Sequence, residues 1–70
     1  MTAFEKGDQV LVTVFATWRG HSFNLSVTGT VDRVLTPIDE YSDPDYWVWL
    51  DMPDIGKTRE RVEHRLLTHL

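Results

Sequence analysis

The most regular hydrophobic pattern in the chain is an alternation over residues 9–17. Side chains of an extended chain point alternately to its two faces, so a period of two predicts a β-strand. A Gly-Asp turn signal at residues 7–8 precedes it. One face of the predicted strand carries Val10, Val12, Val14 and Ala16, and the other carries Leu11, Thr13, Phe15 and Thr17.

The densest apolar run lies at residues 46–52 and predicts a second strand. Aromatic and β-branched residues dominate it, and turn-forming residues flank it. One face carries Trp47 and Trp49, and the other carries Tyr46, Val48 and Leu50. Because both faces are apolar, either the strand is covered on both sides or one face is a contact surface.

Residues 25–36 form another β-rich run. Gly29 inside it indicates a bulge, a bend or a close neighbouring backbone. Val31 and Val34 are three positions apart and cannot share one face of a regular strand. A bulge or strand end near residues 32–33 is therefore expected.

Turns and loops are predicted between these strands. Residues 18–24 mix a glycine with polar and aromatic residues and predict a long loop or an irregular hairpin end. Two prolines and several acids over residues 37–45 predict a loop. The Pro-Asp-Ile-Gly sequence at 53–56 predicts a tight turn, and residues 58–62 predict a returning strand.

The final segment, residues 63–70, has two interpretations. Leucines at 66 and 70 follow Val62 at helical spacing, which fits a terminal helix. The alternative is one helical turn at 63–66 followed by a brief strand. We favour the second, because an isolated helix of this length is marginal in water.

The composition predicts one small folded domain over residues 1–70. The chain is 41% hydrophobic and has a net charge of -4. A domain of this size buries only about 60% of its unfolded surface and leaves little room for a deep catalytic cleft. The absence of cysteine excludes disulfides and thiolate metal sites and fits the cytoplasm. No stretch predicts a signal peptide or a membrane span.

The order of these elements resembles the small five-stranded barrels of the SH3-like class. The resemblance lies in Gly7-Asp8-Gln9-Val10-Leu11-Val12, Gly29-Thr30-Val31, Trp47-Val48-Trp49-Leu50-Asp51 and the ending at 62–67. Gly-Asp-x-Val-x-Val followed by Gly-x-Val is similar to the openings of many SH3-like, KOW-like and Tudor-like barrels. The resemblance implies an all-β, five-stranded barrel with a short helical turn near the C-terminus. The motifs by which SH3 domains bind proline-rich peptides are absent.

The first functional hypothesis is a non-enzymatic protein-binding module. An exposed tryptophan pair would form a rigid platform, and an acidic loop would attract a basic partner. The expected contact residues are Trp47, Trp49, Tyr41, Tyr46, Asp43 and Asp45. The tryptophans could instead be core residues, and the loop could simply be solvated. An exposed pair would also suit a homodimer, through matching patches on two copies.

The second hypothesis is a nucleic-acid-associated barrel of the KOW or Tudor-like kind. Its candidate contacts are Arg19, Lys57, Arg59 and Arg61. Alternation places the last three on one strand face, where they would suit phosphates. The acidic net charge argues against this hypothesis, and a charged outer face also protects a strand from aggregation.

No motif indicates catalysis, a metal or a cofactor. His64 and His69 are five residues apart, whereas a helical zinc pair uses a spacing of four. The serines have no nucleophile-elbow or triad context, and no glycine-rich phosphate loop is present. We therefore expect no cofactor and no enzymatic activity. A free-standing module of this size suits an accessory or regulatory protein of a phage or mobile element that acts on a host protein.

Overall fold

The alternating segments form the strands of one antiparallel sheet. The computed structural model describes residues 4–37, 39 and 41–70. Its elements are β1 (Gln9–Trp18), β2 (His21–Leu35), β3 (Asp45–Met52), β4 (Gly56–Glu63), a 3₁₀ turn (His64–Leu66) and β5 (Leu67–His69). The predicted all-β class, the five strands and the short helical turn are confirmed. In the described residues no helix has the length and apolar character to cross a membrane.

The strands lie in the order β4-β3-β2-β1-β5. The first four form a meander, and β5 returns to pair with Val10, Leu11 and Val12 of β1. Within the described residues β4 pairs only with β3, so the sheet stays open between β4 and the β1–β5 edge. Closure of the sheet into a barrel is therefore not shown.

The core lies on one face of the sheet and confirms the predicted faces of β1 and β3. Its buried residues are Phe4, Val10, Val12, Val27, Val31, Tyr46, Val48, Leu50, Val62 and Leu67. Tyr46, which the sequence placed among the contact residues, belongs to this buried set. Its position follows from the alternation of β3, which turns Tyr46 inward with Val48 and leaves the tryptophans outside.

Two irregularities in β2 also agree with the sequence. The pairing of β2 with β3 shifts between Val31 and Arg33, where Asp32 is the extra residue of a bulge. A Cβ atom at Gly29 would lie 2.8 Å from the carbonyl oxygen of Trp49, so the neighbouring backbone does approach closely. The bulge lets Val34 as well as Val31 pack against the core.

The β1–β2 hairpin is more regular and longer than the sequence predicted. Residues 18–24 do not form a long loop. Trp18 pairs directly with His21, and Arg19 and Gly20 make a two-residue turn. Both turn residues have left-handed backbones, with φ of 49° and 79°. This twist matches the twist of paired strands and keeps them in register to the end.

Beyond the core the hairpin continues as a two-stranded extension, residues 13–26, which we call the arm. In the described residues β5 pairs with β1 only up to Val12, and β3 pairs with β2 only from Gly29 onward. The structure is accordingly elongated, 40 Å in its longest dimension. Three aromatic residues of the arm are exposed: Phe15, Trp18 and Phe23.

The segment before β1 closes one end of the core. Phe4 is buried, and its ring packs edge-on against Tyr46 with centroids 5.5 Å apart. It also contacts the ring of His69, with centroids 4.4 Å apart. The Gly7 amide donates to the carbonyl of Val31 and holds this segment on β2. A residue near the N-terminus thus connects β3 with β5.

Candidate functional site

The outer face of β3 carries the two tryptophans on which the protein-binding hypothesis depends. Trp49 is 42% exposed and is flanked by Thr30 on β2 and Arg59 on β4. Trp47 is half-buried, and the Arg59 guanidinium lies over its ring, 4.6 Å from the centroid. The cation covers Trp47 by a cation–π contact, which leaves Trp49 as the more accessible indole.

Two ion pairs fix the arginines of this face. Arg59 donates from Nε to Oδ2 of Asp32 at 3.0 Å, and its Nη2 lies 3.0 Å from the same oxygen. Arg61 donates from Nε to Oδ2 of Asp45 at 2.9 Å. Exposed pairs of this kind contribute about 0–1 kcal/mol to stability. Their main effect is on charge and position, because each guanidinium is held beside β3 and its charge is neutralised there.

Beside Trp49 lies an open hollow of about 380 Å³, lined by Thr30, Trp49 and Lys57. Lys57 is exposed, and no ion pair holds it among the residues that the structure describes. This hollow combines a flat aromatic surface with an amine and a hydroxyl group. It can accept an apolar group that carries a hydrogen-bond acceptor.

The segment between β2 and β3, which we call the acidic loop, forms a second, polar hollow of about 250 Å³ next to β3. Asp39, Asp43 and Asp45 line it together with Arg61. The Asp39 carboxylate accepts hydrogen bonds from the Tyr41 amide at 2.9 Å and the Ser42 hydroxyl at 3.0 Å. These bonds give the loop a local turn structure. Three carboxylates against one paired arginine leave the hollow acidic.

The two hollows belong to one continuous surface. Asp45 and Arg61 line the acidic hollow, and Arg61 is also the cross-strand neighbour of Trp47. We call the outer face of β3 and β4 together with the acidic loop the tryptophan face. Tyr41 lies in this loop and is 90% exposed.

The predicted site residues divide into three groups. Trp47, Trp49, Asp43, Asp45 and Tyr41 lie on the tryptophan face, and so do Lys57, Arg59 and Arg61 from the alternative nucleic-acid set. Tyr46 lies in the core. Arg19 lies in the turn of the arm, nine residues along β2 from the Thr30–Trp49 pair, which is about 30 Å at ~3.3 Å per residue. Arg19 therefore does not join the basic strand.

The buried Tyr46 is held in a polar contact of its own. Its Oη lies 3.0 Å from Nδ1 of His64, to which the hydroxyl donates when that nitrogen is unprotonated. Burial raises the pKa of the Tyr46 hydroxyl, and the charge of Asp43 raises it further, while a hydrogen bond from the Phe4 backbone lowers it. The hydroxyl therefore stays protonated and serves the packing of the core.

Sequence reasoning missed Asp32 as the partner of Arg59 and missed a groove between β1 and β4. The groove has a volume of about 360 Å³ and is mostly apolar. Its lining residues are Val12, Thr13, Val14, Phe15, Leu50, Met52, Ile55, Thr58, Glu60, Arg61, Val62 and Leu66. Sequence reasoning also missed the early start of β2. The alternation of Phe23, Leu25 and Val27 was a signal of it.

In the described part of the chain, no group of three or more metal-ligating side chains lies close enough together to hold a metal ion. Compared with known protein families, with curated proteins and with solved structures, the chain gives no match.

Proposed function

We propose that the protein is a non-enzymatic binding module that recognises a protein partner through the tryptophan face. The observation that carries this proposal is the exposure of Trp49, which lines one hollow on the same face of the sheet as an acidic hollow of different chemistry. Exposed tryptophans are enriched at interaction hot spots, because a rigid indole buries a large area at little entropic cost. The ion pairs of Arg59 and Arg61 favour one arrangement of the side chains around Trp47 and Trp49 before a partner arrives.

The partner is expected to offer a basic side chain beside an apolar one. A lysine or arginine of the partner would enter the hollow lined by Asp39, Asp43 and Asp45, and the apolar group would cover Trp49. The net charge of -4 would attract such a partner over long range.

The wider setting also belongs to this proposal. We infer a domain of the SH3-like barrel class, since five antiparallel strands with a short helical turn before the last one agree with what that class implies. The absence of cysteine supports a reducing compartment such as the cytoplasm. A regulatory or accessory role for a phage or mobile element that acts on a host protein is part of the same hypothesis.

The nucleic-acid alternative has weaker support. Two of its four candidate cations, Arg59 and Arg61, are paired with carboxylates, and Arg19 lies on the arm. Lysines and arginines bind nucleic acid by neutralising its phosphates and releasing the counterions bound there. An arginine that is already paired with a carboxylate is less available for this contact. Titration of labelled DNA and RNA at two salt concentrations tests it: binding that weakens steeply with salt would favour the nucleic-acid alternative over our proposal.

The proposal is tested by selecting binders from a random peptide library displayed on phage, with the protein as the immobilised target. We expect the selected peptides to combine lysine or arginine with a large apolar residue. Trp49→Ala should weaken them by about 30-fold, the effect of a hot-spot residue. Asp43→Asn should weaken them by severalfold and should reduce the dependence of binding on salt.

Phe23→Ala is the matched control, because Phe23 is an aromatic residue of the arm with 43% exposure, close to the 42% of Trp49. The control should bind the selected peptides as the unmodified protein does. Circular dichroism of each variant separates loss of the surface from loss of the fold. Peptides that bind the Trp49→Ala protein with unchanged affinity would contradict the proposal.

A further inference from the structure

The outer edge of β1 is open over the arm, and an apolar groove runs beside it. Among the described residues, β5 covers this edge only at Val10–Val12, so the backbone of residues 13–18 is unpaired on that side. The groove of about 360 Å³ is lined by four consecutive residues of β1, from Val12 to Phe15, and by Leu50 and Val62 of the core face. It lies where the sheet fails to close between β1 and β4.

The two open edges of the sheet differ in their protection. The edge strand β4 carries charged side chains at four of its first six positions. Edge strands usually carry such charges, which prevent pairing with other chains. The β1 edge from Thr13 to Trp18 has no charge and no proline. Nearly all of its residues are β-branched or aromatic, which favours strand pairing. An unprotected edge of this kind indicates that another strand covers it.

We propose that the strand which covers this edge is β1 of a second copy of the chain. Two identical strands that pair antiparallel across a twofold axis present the same groups to each other, so one free edge satisfies the other. The proposal concerns a surface other than the tryptophan face and does not depend on the proposed function.

The twofold axis restricts the register. Residues that lie opposite each other on paired strands point their side chains to the same face of the sheet. In a twofold-symmetric pair of β1 strands, one residue must therefore lie opposite the same residue of the second copy. A register centred on Phe15 would bring Trp18 opposite Val12, which β5 already pairs. A register centred on Ala16 avoids β5 and places Trp18 of the second copy opposite Val14.

This register fills the groove. Trp18 shares the face of Val14, the face that lines the groove, and its indole is 62% exposed. Trp18 of the second copy would enter the groove beside Val14. Arg19 of the second copy would follow it, next to Glu60 at the groove wall. The chain carries no acidic residue from Gln9 to Val31, so no carboxylates oppose each other along the paired arms.

The available area suits a reversible dimer. Phe15, Trp18 and Phe23 are 60%, 62% and 43% exposed. Aromatic side chains bury about 150–250 Å² each, so the arm of each copy offers about 300 Å² of aromatic surface. Because non-polar atoms form little more than half of a protein interface, the whole contact comes to about 1,000 Å². That is the lower limit of a specific interface, and it predicts a dissociation constant in the micromolar range.

Sedimentation velocity of the full chain over about 1–500 μM tests the proposal, a range chosen to span a micromolar dissociation constant. We expect a monomer that converts to a dimer as the concentration rises. Trp18→Ala should weaken the dimer at least tenfold without loss of the fold, because the indole is exposed in the monomer. Trp49→Ala removes an indole from the tryptophan face and should leave the dimer unchanged.

A charge swap at the proposed axis tests the register itself. Ala16→Glu and Ala16→Lys each place like charges directly opposite each other and should abolish the dimer. An equimolar mixture of the two variants should restore it as a heterodimer. Ser22→Glu, on β2 of the same arm, adds the same charge away from the axis and should have little effect.

Each outcome decides the matter. A chain that stays monomeric throughout the range overturns the proposal, and so does a dimer that is indifferent to both Trp18→Ala and Ala16→Glu. Failure of the mixture to associate, with both variants folded by circular dichroism, overturns the register centred on Ala16 and the seating of Trp18 in the groove.

Discussion

The close approach of β2 and β3 at Gly29 makes this glycine sensitive to a single added methyl group. A Cβ at this position would lie 2.8 Å from the Trp49 carbonyl oxygen, 2.9 Å from Cγ1 of Val48 and 3.3 Å from Cδ2 of Leu50. The first contact is with backbone and cannot be relieved by a rotamer change. Val48 is fully buried and has little room to turn. In Gly29→Ala, β3 must therefore move away from β2.

The expected loss of stability follows from these contacts. Overpacking a buried site costs about 1–3 kcal/mol. The backbone of Gly29 is not left-handed, so alanine gives back roughly 0.4–1 kcal/mol by restricting the unfolded chain. With two contacts below 3 Å we expect a net decrease of about 2 kcal/mol in the free energy of unfolding. For a domain of this size that lowers the melting temperature by about 8–16 °C.

Urea and thermal unfolding, followed by circular dichroism, measure this change. Gly20→Ala is the control, since Gly20 has a left-handed φ of 79° and nothing lies within 4 Å of the position that a Cβ atom would take. It carries a conformational penalty of about 1–2 kcal/mol but no clash. In NMR spectra the indole N–H resonance of Trp49 should shift in Gly29→Ala and not in Gly20→Ala. A Gly29→Ala protein within about 0.5 kcal/mol of the unmodified one would refute the reasoning, because the strands would then tolerate the methyl group.

Three further predictions concern the core and its cover. Tyr46→Phe should lower stability by about 1 kcal/mol through the lost hydrogen bond. Because the pKa of Tyr46 is raised, the folded state holds the hydroxyl proton more tightly than the unfolded state, and stability should fall as the pH rises above about 10. In denaturation curves measured across pH, Tyr46→Phe should remove this part of the fall. The control variant Tyr41→Phe should keep it. Arg59→Ala should uncover Trp47, which acrylamide quenching of its fluorescence would detect; unchanged quenching would mean that the guanidinium does not cover the ring. Phe4→Ala should cost about 3–5 kcal/mol and leave a large unfolded fraction by circular dichroism, and a stable variant would mean that the N-terminal segment is dispensable.

The strands that the sequence predicted correctly are those whose burial is decided locally. Alternation placed Val10 and Val12 on one face of β1, which is the buried face, and it placed Trp49 on the face of β3 opposite to that of the buried Val48. The bulge at Asp32 followed from a spacing that no regular strand permits. In each case the period of the pattern was enough, without knowledge of the neighbouring strands.

The full length of the arm, up to its turn, could not be predicted from local composition, because cross-strand pairing determines it. Ser22 and Asn24 have weak β propensity, yet they lie in β2 opposite Thr17 and Phe15. A two-residue turn with left-handed Arg19 sustains this pairing, and arginine does not signal such a turn. The tertiary context thus outweighed the propensity of single residues.

The candidate site was predictable in its residue types and not in its arrangement. The sequence presented the tryptophans and the arginines as two competing surfaces. In the fold they occupy one surface, because β3 and β4 pair and bring Arg59 over Trp47. The ion pair between Arg59 and Asp32 depends on the bulge and on the order of the strands. The sequence alone does not show that these two side chains come into contact.

The pairing of β5 with β1 makes the growing chain vulnerable while it is being made. Val12 pairs with Leu67, about 55 residues further along, which takes roughly 3–11 s to synthesise at about 5–20 residues per second. During that time the β1 backbone is open along its whole outer edge, and Val10 and Val12 lack their final cover. On a crowded polysome, neighbouring nascent chains expose the same edge, so slower translation of the second half or the loss of chaperones should lower the yield of folded protein.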